Sequence, residues 1–448
     1  IYDNQSDDYR LTFATKYSEI NEDGQLISKE TDTKRFSYLL GKNESCRTPS
    51  ERLEILNKNK NDQTLSSIIE AFNVDKITDE FFSEYKESVL KIIDELKNIR
   101  KKDTKININF IQNNISNDEF AKKILSQFVF LYFLQKKGWL GIQKNENGDF
   151  KKWGEGPKNF VKLLFEGYYC KYNNFFNDIL EPLFVSFSED LTDNYFSKLD
   201  CKIPFLNGGL FEPIKNYNWS ETDLIIDNKI FENKINIFDK YNFTIQEEDP
   251  LDREVAIDPE MLGKVFENLL NIKDRKSKGA FYTPRNIVRY ICKESIEKYL
   301  FNELENIDRN IIYALFKYKK DNNRLKKISF NTAQKIDNLL KNIKIYDPAI
   351  GSGAFPVELM NFIVNARLYL NLIIKNNRNT NYNLKRNFIE FSLFGNDIDG
   401  SATETAKLRL WLSLIIEEKD YEAITTLPNL DYKITIGDSL VSTKINLL

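Results

Sequence analysis

Ile343-Lys344-Ile345-Tyr346-Asp347-Pro348-Ala349-Ile350-Gly351-Ser352-Gly353-Ala354-Phe355 is the stretch on which the fold turns. Ile343–Tyr346 reads as a short β-branched strand leading into Asp347. Two glycines one residue apart then let the backbone come close to a ligand. A helix follows directly over Phe355–Leu370, with Val357, Met360, Phe362, Ile363 and Ala366 at its apolar positions. Further along, Phe391–Phe394 reads as a second strand ending in Gly395-Asn396-Asp397, and Ala402–Ile416 as a second helix. Tyr432–Ile436 reads as a third strand ending at Gly437-Asp438-Ser439. Strand, glycine turn, helix, strand, acid, helix, strand is the opening of a doubly wound parallel sheet. Residues 304–341 read as a charged insertion ahead of it.

Asp347, Asp397 and Asp438 fall at the C-terminal ends of these strands, where an open α/β sheet keeps its ligand crevice. Asp397 can accept both hydroxyls of a ribose, and Asp438 a hydrogen bond from an adenine amine. Together they describe a nucleoside pocket. A dinucleotide fingerprint needs a third glycine where Pro356 stands, and the P-loop pattern is absent. Asp347 would repel phosphate, whereas a sulfonium with an amino group, as in S-adenosylmethionine, suits an acidic loop. The bland readings are a structural βα turn for the first loop and an ordinary Gly-Asp-Ser turn for the third.

Upstream the pattern changes. Residues 1–60 read as irregular β structure, with β-prone runs at Tyr9–Thr15 and Arg35–Gly41, then a helix Glu51–Asn57 capped by Ser50. From about 62 to 200 the apolar spacing is helical, and Phe120–Lys137 is apolar all round and stops before Gly138. Ile203–Glu212, carrying Pro-Phe-Leu-Asn-Gly-Gly-Leu-Phe-Glu, reads as a shaped loop; Pro259–Leu270 reads as a helix, and Lys273–Lys278 as a basic solvated loop that adjoins the next motif and could touch DNA phosphate. Glu84-Tyr85-Lys86 and Glu95-Leu96-Lys97 spell a nuclease-like ExK, but on helices rich in Glu and Lys they read as solvated faces.

The composition narrows the chemistry. The 448 residues contain no histidine, which removes Ser-His-Asp and Cys-His triads and HExxH zinc sites. No metal site is expected. Net charge is −3, so any nucleic-acid face must be local. Four cysteines stand far apart with no CxxC, which fits a reducing cytosol and a cytoplasmic protein. The opening Ile1–Arg10 is polar and acidic without an apolar h-region, and the absence of an initial Met reads as a fragment. Apolar runs such as Phe128–Leu134 are too short to span a bilayer, so no membrane partner is expected.

Asp347–Phe355 resembles the first cofactor motif of amino-methylating DNA methyltransferases, and Gly279-Ala280-Phe281-Tyr282-Thr283-Pro284 resembles their permuted last motif. That order is similar to the gamma class of N6-adenine methyltransferases. With Arg35–Gly41, Phe130–Gly141, Pro204–Glu212 and Asp258–Leu270, the set from about residue 35 onward resembles the type IIG restriction–modification enzymes. The resemblance implies a multi-domain chain. A β-containing segment would span 1–61 and a mainly α-helical connector domain 62–258. Residues 259–448 would be the cofactor half of an incomplete α/β Rossmann-like S-adenosylmethionine-dependent methyltransferase domain. By the same resemblance Phe281, Tyr282, Thr283 and Pro284 would shape the methionine end, Asp347, Ala349, Gly351 and Gly353 would wrap the amino acid and sugar, and Phe355 would also belong to the cofactor site. Asp397 would hold the ribose with Ile398 beside the adenine, and Asp438 with Ser439 would meet the adenine amine. Double-stranded DNA would be the substrate of the intact enzyme, with Mg²⁺ serving its nuclease. The Asn/Asp-Pro-Pro-Tyr/Phe tetrapeptide with which this family transfers methyl is absent, so no catalytic residue is assigned and the fragment is expected to be inactive. Two rivals remain: a stand-alone or phage-defence methyltransferase without nuclease, and a cofactor-binding scaffold that docks partner subunits.

Overall fold

The computed structural model describes residues 8–15, 19–20, 26–27, 34–41, 44, 46–58, 64–206, 210–211, 213–218, 221–243, 252–254, 256–257, 283–304, 307–316, 328–375, 380–417 and 427–441. The chain divides into two compact units, Ile1–Pro204 with Pro213–Met261, and Phe205–Glu212 with Leu262–Leu448. The helix read at Pro259–Leu270 and the basic loop Lys273–Lys278 lie outside the described residues.

In the first unit, strands β1 (Asp8–Thr15) and β2 (Lys34–Gly41) pair antiparallel, and β2 pairs parallel with β3 (Asp252–Glu254). Helices α1 (Arg47–Lys58), α2 (Leu65–Ala71), α3 (Val74–Lys102), α4 (Thr104–Gln112) and α5 (Asn117–Lys137) follow. Helix α1 starts earlier than the sequence suggests. Pro49 is tolerated in the first turn, where its missing N–H costs nothing, so Ser50 is inside the helix and donates to the Cys46 carbonyl at 3.0 Å. The near-continuous apolar sequence of α5 reflects burial on all sides, capped by Ser116 at one end and by Gly138 at φ +71° at the other. After α6 (Phe160–Phe165), α7 (Glu181–Ser186) and α8 (Asn228–Phe238), the rings of Phe81, Phe128, Tyr132, Phe238 and Phe243 close an aromatic core, with centroids 5.1 to 6.1 Å apart. Glu84, one of the ExK spellings, is occupied internally: it accepts hydrogen bonds from Lys240 and Tyr241, each at 2.7 Å.

The second unit holds α9 (Arg285–Glu303), α10 (Arg309–Leu315), α11 (Phe330–Asn342), β4 (Ile345–Asp347), α12 (Ala354–Ile374), α13 (Asn381–Asn387), β5 (Leu393–Asp397), α14 (Gly400–Glu417) and β6 (Ile434–Ile436). The three strands are parallel in the order β6-β5-β4, with Asp347 opposite Gly395 and Ile436 opposite Asp397. Helices α12 and α14 pack on the sheet; Leu393, Gly395 and Ile434 are buried, while Tyr346 is 60% exposed.

Three expectations need correction. The region read as a charged insertion contains α10 and α11; Ala333, Ile336 and Leu340 give α11 a buried stripe, and Ser329 caps it. Phe391 does not belong to a strand. Leu384 and Phe388 are buried one turn apart, so α13 continues as a π-turn over Phe388–Ser392 that leaves Phe391 outside, 56% exposed. Finally, α12 is long and apolar enough, by length and composition alone, to cross a membrane. Its apolarity serves packing against α9, α11, α13 and α14, and its buried Arg367 pairs with Asp337 of α11 at 2.8 Å. Pro204–Glu212 is packed where it is described: Leu206, Leu210 and Phe211 are buried, and the Leu206 carbonyl accepts from Leu427 N–H at 3.0 Å.

Two ionisable groups of the helical unit are buried without compensation. Lys234 of α8 is 1% exposed, lies 4.9 Å from the Phe231 ring centre and finds no hydrogen-bond partner among the described residues. Burial, reinforced by Lys91, holds its pKa well below the ordinary lysine value. The unfolded chain therefore binds a proton that the folded chain refuses, and stability rises with pH between the folded pKa and about 10.4. Burial and Asp223 push the Glu181 carboxyl up to about 9, giving the opposite slope: stability falls as pH rises from the ordinary carboxylate range through about 9. Lys234→Met should stabilise the unit by about 1–3 kcal/mol at neutral pH, with the gain shrinking towards pH ~10. Urea melts across a pH series would check this, and a gain independent of pH would contradict it. Glu181→Gln should flatten the alkaline loss in the same melts.

Candidate functional site

The C-terminal ends of β4, β5 and β6 carry Asp347, Asp397 and Asp438, and the loop 348–353 runs from the first of them into α12. Asp347 Oδ1 accepts the Ala349 N–H at 3.1 Å. Its Oδ2 is buried and has no hydrogen-bond partner among the described residues. Burial raises the Asp347 pKa, and neighbouring Asp397 raises it further, against the lowering effect of the Ala349 N–H.

Asp397 organises the turn. Its Oδ2 accepts the Gly351 N–H at 2.8 Å and its Oδ1 accepts the Asp399 N–H at 2.9 Å. The Ile350 N–H donates to the Asn396 carbonyl at 3.0 Å, and the Gly353 N–H to the Ile350 carbonyl at 2.9 Å. The backbone donors of Ala349, Ile350, Gly351 and Gly353 are therefore all engaged within the protein. A phosphate cradle needs such donors free and aimed at the ligand. This loop instead presents acid, a property that favours a cationic or hydroxyl-rich ligand.

The glycines are sterically required. Gly351 and Gly353 adopt φ of +53° and +82°. A Cβ on Gly353 would lie 3.2 Å from the Cβ of Ala406 on α14, and one on Gly395 would lie 2.4 Å from Ile350 Cδ1. From behind, the buried Arg409 of α14 donates to the Ser352 carbonyl at 2.8 Å.

The remaining expected residues distribute as follows. Phe355 lies in the first turn of α12, and its carbonyl accepts the Cys292 thiol of α9 at 3.7 Å. This contact, with Arg289 and Glu358 at 3.8 Å, lays α9 beside the start of α12, and Thr283 and Pro284 immediately precede α9. Ile398 is 57% exposed directly after Asp397. Asp438 is exposed and turns Oδ1 to the Leu440 N–H at 2.9 Å. Ser439 Oγ donates to the Pro348 carbonyl at 2.5 Å, tying the third loop to the first. Phe281 and Tyr282 lie outside the described residues. Asp347, Ala349, Gly351 and Asp397 thus meet directly, and Ser439 joins them through Pro348. Asp438 instead engages the Leu440 N–H of its own loop, and Thr283 and Pro284 stand at the start of α9. Asn396, Arg409 and Gly395 had no role assigned from sequence, although Gly395 and Asn396 stand beside the acid that did. Among the described residues no group of three or more Cys, Asp or Glu is placed to hold a metal ion.

No family model matches the chain. A curated protein of Methanocaldococcus jannaschii, named "Putative type II restriction enzyme and methyltransferase", is 30% identical over 417 residues, a match covering 82% of this chain and 32% of the relative. The chain therefore spans about a third of the length of the curated relative that it matches. Among solved structures, the type IIL restriction-modification enzyme MmeI in complex with DNA aligns with a TM-score of 0.48 at 14% identity, covering 79% of this chain and 40% of that one. The DrdV–DNA complex aligns with a TM-score of 0.32 at 14% identity, covering 95% and 35%. At these scores neither likeness bears on the fold.

Gly353→Ala should cost about 1–2 kcal/mol through its left-handed backbone alone, and the contact with Ala406 adds to this. Chemical denaturation would measure the loss. An unchanged midpoint would show that α14 gives way freely and that the turn is not sterically fixed.

Proposed function

We propose that the second unit is the cofactor-binding part of an S-adenosylmethionine-dependent DNA methyltransferase acting on N6 of adenine, within a restriction–modification protein of type IIG-like organisation. The observation that carries this reading is the inward-turned loop: the Ala349 and Gly351 N–H groups are spent on Asp347 and Asp397, those of Ile350 and Gly353 on backbone carbonyls, and one Asp347 oxygen is buried with no partner among the described residues. The order of motifs, Gly279–Pro284 before Asp347–Phe355 before Gly395-Asn396-Asp397, supports it, and so does the 30% identity to the M. jannaschii protein.

The residues present fit such a ligand. An ammonium or sulfonium would match the unpaired oxygen of Asp347, and a ribose diol would share Asp397 with the Gly351 N–H. Exposed Ile398 offers an apolar surface to a base, and exposed Asp438 retains acceptor capacity for an exocyclic amine. Thr283 and Pro284, with Phe281 and Tyr282, are assigned to the methionine end. When bound, the cofactor supplies a methyl group on a positively charged sulfur. The chain's own residues orient that group and keep phosphate out. The 448 residues hold no Asn/Asp-Pro-Pro-Tyr/Phe tetrapeptide, so we expect binding without transfer to DNA. In the longer protein, duplex DNA with a flipped adenine is the substrate, and Mg²⁺ serves the nuclease.

Calorimetry tests the reading. S-adenosylmethionine should bind and a pyrophosphate-bearing dinucleotide such as NAD should not; the reverse preference would refute it. Asp397→Asn keeps an acceptor for Gly351 but removes the charge, and should weaken binding by about tenfold or more. Affinity should also fall on acidification as Asp347 gains its proton. Because burial raises that pKa, the loss should begin above the ordinary carboxylate range.

A further inference from the structure

We propose that Asn396 is a positioning residue of this crevice, acting through Ser439 to hold the first and third loops in the arrangement that accepts a nucleoside; the inference rests on the ligand reading above. Adjacent residues of a strand point to opposite faces. Asp397 reaches Gly351 from one face, and Asn396 works from the other. Its Nδ2 donates to Ser439 Oγ at 2.8 Å, and Ser439 Oγ passes its own proton on to the Pro348 carbonyl at 2.5 Å. Thr435 Oγ1 of β6 donates to Asn396 Oδ1 at 3.4 Å, and the Asn396 carbonyl accepts the Ile350 N–H at 3.0 Å. One residue of the central strand therefore touches both neighbouring strands or their loops.

The geometry makes this tie consequential. Strands β4 and β6 flank β5, so their ends stand roughly 10 Å apart, two inter-strand spacings. Each has only three residues, too few to fix the direction of the chain leaving it. The amide–hydroxyl–carbonyl relay draws Pro348 and Ser439 together across the end of β5. It needs a donor at position 396. A carboxylate there could not donate, and it would compete with Pro348 for the single hydroxyl proton.

The test compares wild type with Asn396→Ala, Asn396→Asp, Ser439→Ala and Ser439→Thr, by amide hydrogen exchange over residues 348–353 and 437–441 and by calorimetry with S-adenosylmethionine. The first three variants should exchange faster in both loops, keep the global melting temperature, and bind about tenfold more weakly. Ser439→Thr, which keeps the hydroxyl, should retain slow exchange in both loops. Unchanged exchange and affinity would overturn the proposal. Tighter binding by Ser439→Ala would overturn it too, because the bond would then bar the crevice rather than shape it. If wild type takes up no S-adenosylmethionine, the ligand reading fails, and the tie between the loops is then decided by the exchange data alone.

Discussion

A single carboxylate decides what the sheet edge can do. Asp397 ends the central strand and spends an oxygen each on Gly351 and Asp399. The glycine turn is wrapped around that acid rather than around a ligand. Similar glycine-rich turns elsewhere aim their N–H groups outwards and collect phosphate. Here the same local chemistry is inverted, because the anion is built into the protein. At nearby Asp347 burial makes ionisation harder, and the negative charge of Asp397 adds to that effect.

Much of this is legible in the amino-acid sequence because it depends on period and punctuation. Apolar spacing gives α5, α12 and α14, and each acid after a short β-branched run marks a strand end. The boundaries are less visible. Phe391 is aromatic and sits beside a strand, so propensity alone assigns it there, and only the burial of Leu384 and Phe388 shows that the helical path continues. The stripe on α11 is diluted by charged and amide residues on its exposed side, which hides it in a region rich in lysine and asparagine. Asn396 is the clearest omission. An asparagine near a strand end has many ordinary explanations, and its partners Ser439 and Pro348 are far away along the chain.

The helical unit follows another logic. Its interior is aromatic, and buried polar side chains reach partners there: Tyr132 donates to Asp239 at 2.9 Å and Arg52 to Glu80 at 2.6 Å. Gly138 and Gly156 permit a backbone crossing that no side chain could enter: a Cβ on either would fall 2.2 to 2.3 Å from a carbonyl oxygen. Lys234 is an exception to this pattern, an amine over the Phe231 ring with no hydrogen-bond acceptor among the described residues.

The parallel pairing of the crevice strands carries a kinetic implication. Ile345 meets Leu393, and Gly395 meets Ile434, across separations of roughly forty to fifty residues, each containing a long helix. No hairpin can seed such a sheet. Long loops must close before these strand contacts are rewarded, which makes the sheet slower to form than the local contacts within α12 and α14.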